Sequence, residues 1–206
     1  MNNYPFDSTG LGTEEIDRLQ DTYNTLKTRF NIQLTGHINF NLEQFEIFKP
    51  YLDINLRDSY VIKQANNDCY VLFVETHFKS KDTKGQITDH YECQTWALAY
   101  LKQDFSRVMI RRETLADKII ELIHPIELDF AEDIAFSDTF YVVVNDLQKA
   151  VAGINRNFRN AVMDVRADDF VIEIVDHTLI IGSRKPMAAD KAIHLAEFVA
   201  RLASMC

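Results

Sequence analysis

From about Ser59 onward the apolar residues settle into a period of two, and this alternation limits the fold more than any other feature of the chain. Tyr60–Gln64, Tyr70–Lys79, Thr88–Leu101 and Arg107–Arg112 each send successive side chains to opposite sides, as a pleated strand requires. Turn-forming residues separate the first three, Asn66-Asn67-Asp68 and then Asp82-Thr83-Lys84-Gly85. Connections this short join antiparallel neighbours, so the pattern predicts a sheet built from hairpins. Later in the chain, Thr139–Val144 reads as another strand, and Phe170–Asp176 with Thr178–Arg184 as a tight hairpin about His177.

Helical spacing brackets these strands. Thr13 is placed to cap a first helix with Glu14 and Glu15 in its opening turn, where the helix dipole favours negative charge. Ile16, Leu19, Tyr23, Leu26 and Phe30 follow at alternating steps of three and four, a heptad seam along residues 13–30. That seam suits packing on the chain's own domain, or pairing with a protein partner or a second copy. A short helix is expected from Asn41 to Pro50, another over 114–123, and one after Asp146 that ends near Gly153. Asn157 is placed to cap a helix through Val165, and a final helix spans about Ala188 to Ala203. The predicted fold class is α+β: an antiparallel sheet of hairpins with N-terminal, central and C-terminal helices packed on it. Residues 1–12 read as a tail and 13–206 as one domain, with two halves meeting near 124–138 as the alternative division.

Composition narrows the function classes. Lys and Arg number 22 against 31 Asp and Glu, for a net charge of −9, which argues against a nucleic-acid partner. Three cysteines, Cys69, Cys93 and Cys206, make no C-x-x-C pair and no disulfide framework, so a reducing, cytoplasmic setting is expected. No signal peptide and no membrane-spanning apolar run is read from the chain as given. No phosphate-binding glycine loop, H-E-x-x-H or G-x-S-x-G occurs, and six glycines leave little material for phosphate-cradling loops. The acids Glu127, Asp129, Glu132, Asp133 and Asp138 lack calcium-loop spacing and read as a solvated connection or, alternatively, a surface for a basic partner.

The second half carries a resemblance. Phe136-Ser-Asp-Thr-Phe140-Tyr-Val142, then Asp146-x-x-x-Ala150, then a helix and the hairpin ending Thr178-Leu179-Ile180-Ile181, resembles a bacterial family of uncharacterised, often membrane-anchored proteins. The family is catalogued as a domain of unknown function with a Phe-x-x-x-Phe-x-Val…Asp-x-x-x-Ala core. The resemblance implies the same α+β layout and, through the anchored relatives, membrane association. It implies no catalytic residue. Asp146 has a physical role as a helix cap, and Ala150 as a small residue that lets this helix lie close to the sheet.

One constellation points to chemistry. If the 70–101 hairpin buries Leu72 and Val74 on the same face as Tyr91 and Cys93, even residues of one strand oppose odd residues of the other. A four-residue loop at Asp82–Gly85 gives that register and pairs Glu75 with Glu92 and His77 with His90; a three-residue loop with a glycine bulge gives the other parity. Two imidazoles and two carboxylates on one face would suit a divalent Zn²⁺, Mn²⁺ or Fe²⁺ ion. A solvated face of diagonal His–Glu pairs is the plainer reading. On balance the sequence points away from an enzyme, to a non-catalytic binding or scaffold module acting through protein–protein contacts. The alternative is a metal-dependent hydrolase centred on Glu75, His77, His90 and Glu92.

Overall fold

A computed structural model describes residues 4–36, 38–64, 67–112 and 125–205. The helix expected over 114–123 lies outside these residues, as do His37, Asn66, His124 and Cys206. The fold is α+β. Nine antiparallel strands form one sheet: β1 (Ile32–Leu34), β2 (Asp53–Ile62), β3 (Cys69–Lys81), β4 (Ile87–Tyr100), β5 (Arg107–Arg112), β6 (Ile126–Glu127), β7 (Phe140–Val144), β8 (Val171–Val175) and β9 (Thr178–Gly182). Their order across the sheet is β1-β2-β3-β4-β9-β8-β5-β7-β6. The late hairpin β8–β9 is therefore inserted between β4 and β5, and strands from the early and late parts of the chain share a single sheet.

Helices cover one face. They are α1 (Thr13–Arg29), α2 (Ile134–Ser137), α3 (Leu147–Gly153), α4 (Arg156–Asp164) and α5 (Ala189–Met205). In α1, Leu19 and Leu26 are buried and Ile16, Tyr23 and Phe30 pack around them, so the heptad seam is spent on the chain's own core. The cap of α1 is Gly12 rather than Thr13, with Glu15 reaching back to accept from the Gly12 amide. α5 packs on α1, β3 and β4, and its buried Ala192, Ala196 and Ala203 permit close approach to them. Asp146 caps α3 by accepting from the Lys149 amide at 3.1 Å, and Ala150 is fully buried. α4 is capped by Asn155, two residues before the expected Asn157, because Asn155 Oδ1 accepts from the Phe158 amide. No described helix is long and apolar enough to cross a membrane.

Residues 4–9 are tied to the sheet at several points. Phe6 is buried against Phe73, Tyr60 donates to the Pro5 carbonyl at 2.7 Å, and Arg57 reaches Asp7 and the Thr9 carbonyl. The acidic stretch is likewise partly engaged: the guanidinium of the buried Arg159 donates to Asp133 at 2.8 Å, pairs with Glu132 at 3.2 Å and lies over the Phe130 ring.

The opposite face has a different cover. The helix expected from Asn41 is instead two 3-10 turns, Leu42–Gln44 and Glu46–Phe48, broken at an extended Phe45. Phe45, Ile47 and Phe48 all point down onto Leu72, Val74, Trp96, Leu98 and Ile180. The break lets a buried carboxylate do the capping. Glu173 on β8, fully shielded from solvent, accepts from the Glu46 amide at 2.9 Å and the Ile47 amide at 3.0 Å, and from Arg107 at 2.9 Å. Arg107 also donates to the Gln44 carbonyl, which ties the cover at a third point. Beside it, Trp96 Nε1 donates to Gln94, whose own amide donates to Tyr51 and to the Arg184 carbonyl. The Trp96 ring lies across Gly182, where an added Cβ would collide with the ring.

Candidate functional site

The hairpin singled out by sequence is the most prominent projection of the sheet, and its register is set at the turn. The Gly85 amide donates to the Asp82 carbonyl at 3.1 Å, the Asp82 amide donates to the Gln86 carbonyl at 3.0 Å, and Gly85 has φ +86°. Asp82 Oδ1 accepts from the Lys84 and Gln86 amides at 2.9 and 2.8 Å. This is a three-residue loop closed by a left-handed glycine, and it pairs residues of like parity. Glu75 therefore opposes Cys93, Thr76 opposes Glu92, His77 opposes Tyr91 and Phe78 opposes His90.

That register corrects the expected Glu75–Glu92 and His77–His90 pairs. Glu75 and His77 lie on the helix-covered face, while His90 and Glu92 lie on the other, so the hairpin does not bring the four together. Among the described residues, no group of three His, Cys, Asp or Glu side chains is arranged to hold a metal ion. The sequence did hold a usable signal. Asp at the first turn position and Gly at the left-handed one select the bulged loop, and alternation near the tip is too polar to overrule it.

Three members of the quartet, Glu75, His77 and His90, have local side-chain partners. Glu75 accepts from Arg57 at 2.7 Å, and the Arg57 side chain is only 9% exposed. A bulge between Leu56 and Asp58 places Arg57 to bridge Glu75, Asp7 and Thr9, a role that periodicity does not reveal. His77 Nε2 is 2.7 Å from Asp89 Oδ1, and its ring stacks on Tyr91 at 4.4 Å. The hydrogen bond from His77 holds the Asp89 carboxyl below its ordinary range. The His90 ring stacks on Phe78 at 5.0 Å, with Nε2 at 2.7 Å from Ser80 Oγ. Cys93 is buried, and loss of solvation pushes its thiol up to about 12, far from a reactive thiolate.

What the arm exposes is backbone and apolar surface. β9 pairs with β4 only from Trp96 to Tyr100, so β4 from Ile87 to Glu92 has no strand on its outer side among the described residues. Where the open edge meets the body, α1 closes it: the Cys93 amide donates to Glu15 and the Cys93 carbonyl accepts from Arg18, each at 3.4 Å. Because the backbone amide and carbonyl of Cys93 point to this edge, the two-residue period directs those of Tyr91, Asp89 and Ile87 to it as well. Ile87 is 62% exposed and Tyr91 59%. The arrangement offers a ladder of hydrogen-bonding groups with two apolar side chains beside it. It holds no paired acid and base around a cleft.

No protein-family model matches the chain, and no curated protein matches it. Among solved structures, the crystal structure of the mycobacterial trehalose monomycolate transport factor A, TtfA, aligns with a TM-score of 0.60, covering 90% of this chain and 92% of that one at 9% sequence identity. At such an identity the likeness shows a shared fold.

Proposed function

We propose that this chain is a non-catalytic binding module that meets a protein partner at the β3–β4 arm. The observation that carries the reading is the open outer edge of β4 from Ile87 to Glu92, with Ile87 and Tyr91 exposed beside it. An exposed strand edge templates the addition of another strand, and proteins that do not use such an edge blunt or cover it. An extended segment of a partner gains backbone hydrogen bonds along Ile87, Asp89 and Tyr91, while the apolar side chains select its sequence. A transport factor built on the same fold supports a role exercised by contact rather than by chemistry.

A photo-crosslinking amino acid at position 91, with one at the exposed Leu147 on α3 as control, tests this in the native host. The expected result is one dominant protein adduct from position 91, lost when Ile87→Asp is added and absent at position 147. Tyr91→Pro removes an outward amide and the ring stacked on His77 but no hydrogen bond of the β3–β4 ladder, so it should leave the sheet intact and abolish binding of the purified partner. Equal crosslinking from both positions, or a partner that binds Tyr91→Pro undiminished, would overturn the reading.

A further inference from the structure

A second feature lies at the root of the arm, where the Arg184 carbonyl accepts from Gln94 of β4. Where β9 ends and α5 begins, a cleft of about 240 Å³ opens against the start of β8. Its apolar lining includes Phe170, Val171 and Pro186, and its cationic side chains are Arg184, Lys185 and Lys191. In a chain of net charge −9, three cations around one hollow are an exception.

Their pairing is uneven. Lys191 is 3.6 Å from Asp168, and Asp169, the one acid lining the cleft, is 3.8 Å from Arg112. Arg184 and Lys185 form no ion pair with any described residue. Arg184 is half-buried, and its Nε is shielded from water with no hydrogen-bond partner, although its carbonyl is held by Gln94. A screened guanidinium donor without an acceptor is costly to maintain unless something else satisfies it. Guanidinium groups present paired donors that match the oxygens of phosphate, and a neighbouring ammonium adds a second charge. Two unpaired cations match the two negative charges of a phosphate monoester better than the single charge of a carboxylate. Concavity and the apolar lining favour a ligand with a small carbon skeleton over a bare ion.

We propose that this cleft binds a small organic phosphate, with its head between Arg184 and Lys185 and its apolar part against Phe170, Val171 and Pro186. The site is independent of the arm and stands whether or not the arm binds protein. Calorimetric titration of the full chain with phenyl phosphate at neutral pH tests it, with benzyl alcohol as the neutral analogue. Saturable one-to-one binding of phenyl phosphate and none of benzyl alcohol is expected. Arg184→Gln should weaken binding by about tenfold or more, because a charge-assisted pair is lost. Lys185→Ala, at an exposed position that cannot compromise folding, should weaken it several-fold, and Lys149→Ala on α3 should leave it unchanged. Thermal melting of unliganded Arg184→Gln should match that of the wild type. Absence of saturable binding by the wild type, or equal weakening by Lys149→Ala and Lys185→Ala, would overturn the proposal.

Discussion

The two faces of the sheet are covered by different means. On one side α1 and α5 lay regular apolar stripes on Val71, Phe73 and Ala97, and burial of hydrocarbon supplies the adhesion. On the other, a short irregular segment around Phe45 is held by aromatic packing and by one fully buried carboxylate that caps it. A helix satisfies its own backbone and needs only a greasy stripe. An irregular cover brings unpaired amides with it, and the sheet must answer them from below. Specificity on the helical face is thus distributed over many contacts, while on the other it is concentrated in Glu173, Arg107 and Gln94.

The sharpest way to break this contrast is to remove one anchor from each side. Glu173→Ala leaves two amides without their acceptor and takes from Arg107 one of its two carboxylate partners, and should cost about 4 kcal/mol, and Leu26→Ala about 3 kcal/mol, both read from urea melts. The pattern of damage should differ more than the size. Limited proteolysis of Glu173→Ala should cut between residues 40 and 51 before global unfolding, whereas Leu26→Ala should be cut there no sooner than anywhere else. Early cleavage in both variants would mean that the two covers are not held differently.

A smaller effect tests what fixes the register where neither cover reaches. Gly85→Ala forces a side chain into the left-handed region and should cost about 1 kcal/mol, with loss of the Phe78–His90 cross-strand contact in NMR spectra. Unchanged cross-strand contacts and stability would return control of the register to the strands.

The smallest effect is a pH dependence confined to one face. Burial pushes the Glu173 carboxyl above its ordinary 4.5, even though the Glu46 and Ile47 amides and Arg107 pull it down. The folded chain therefore holds this proton more tightly than the unfolded one. The resulting contribution to stability is complete below pH 4.5 and is lost as pH rises through the raised value. The stability advantage of the wild type over Glu173→Gln should accordingly shrink from acid to neutral pH in urea melts. An advantage that grows over this range would show that the hydrogen bonds, rather than burial, dominate the site.

These contrasts explain what the sequence disclosed. The spans of β3, β4, β5 and β7, the α1 seam, the Asp146 cap and the β8–β9 hairpin are legible because each obeys a local period or a capping rule. By contrast, β2 starts at Asp53 instead of the expected Tyr60 because a bulge between Leu56 and Asp58 breaks its alternation, and the short β1 and β6 carry no period at all. The cover around Phe45 was misread as a helix because its amides are satisfied by Glu173, more than a hundred residues away in the chain. The expected Glu75–Glu92 and His77–His90 pairs are absent for a related reason. Apolar alternation specifies register only where side chains are buried, and from Glu75 to the tip Asp82 and Gly85 decided it. Arg57 escaped notice because a bulge, invisible to a period-two reading, turns it toward Glu75.

The insertion of β8 and β9 between β4 and β5 also governs the order in which this molecule can be completed. Until β9 docks, the β1–β4 block and the β5–β7–β6 block share no backbone hydrogen bond, because β8 and β9 are the only strands between them. During synthesis the growing chain thus presents two unfinished sheets, with the inner edges of β4 and β5 both bare, until β8 and β9 emerge. Closure through such distant pairings is slow. Newly made chains spend that interval exposed to strand-seeking neighbours, which favours chaperone escort until β9 has docked.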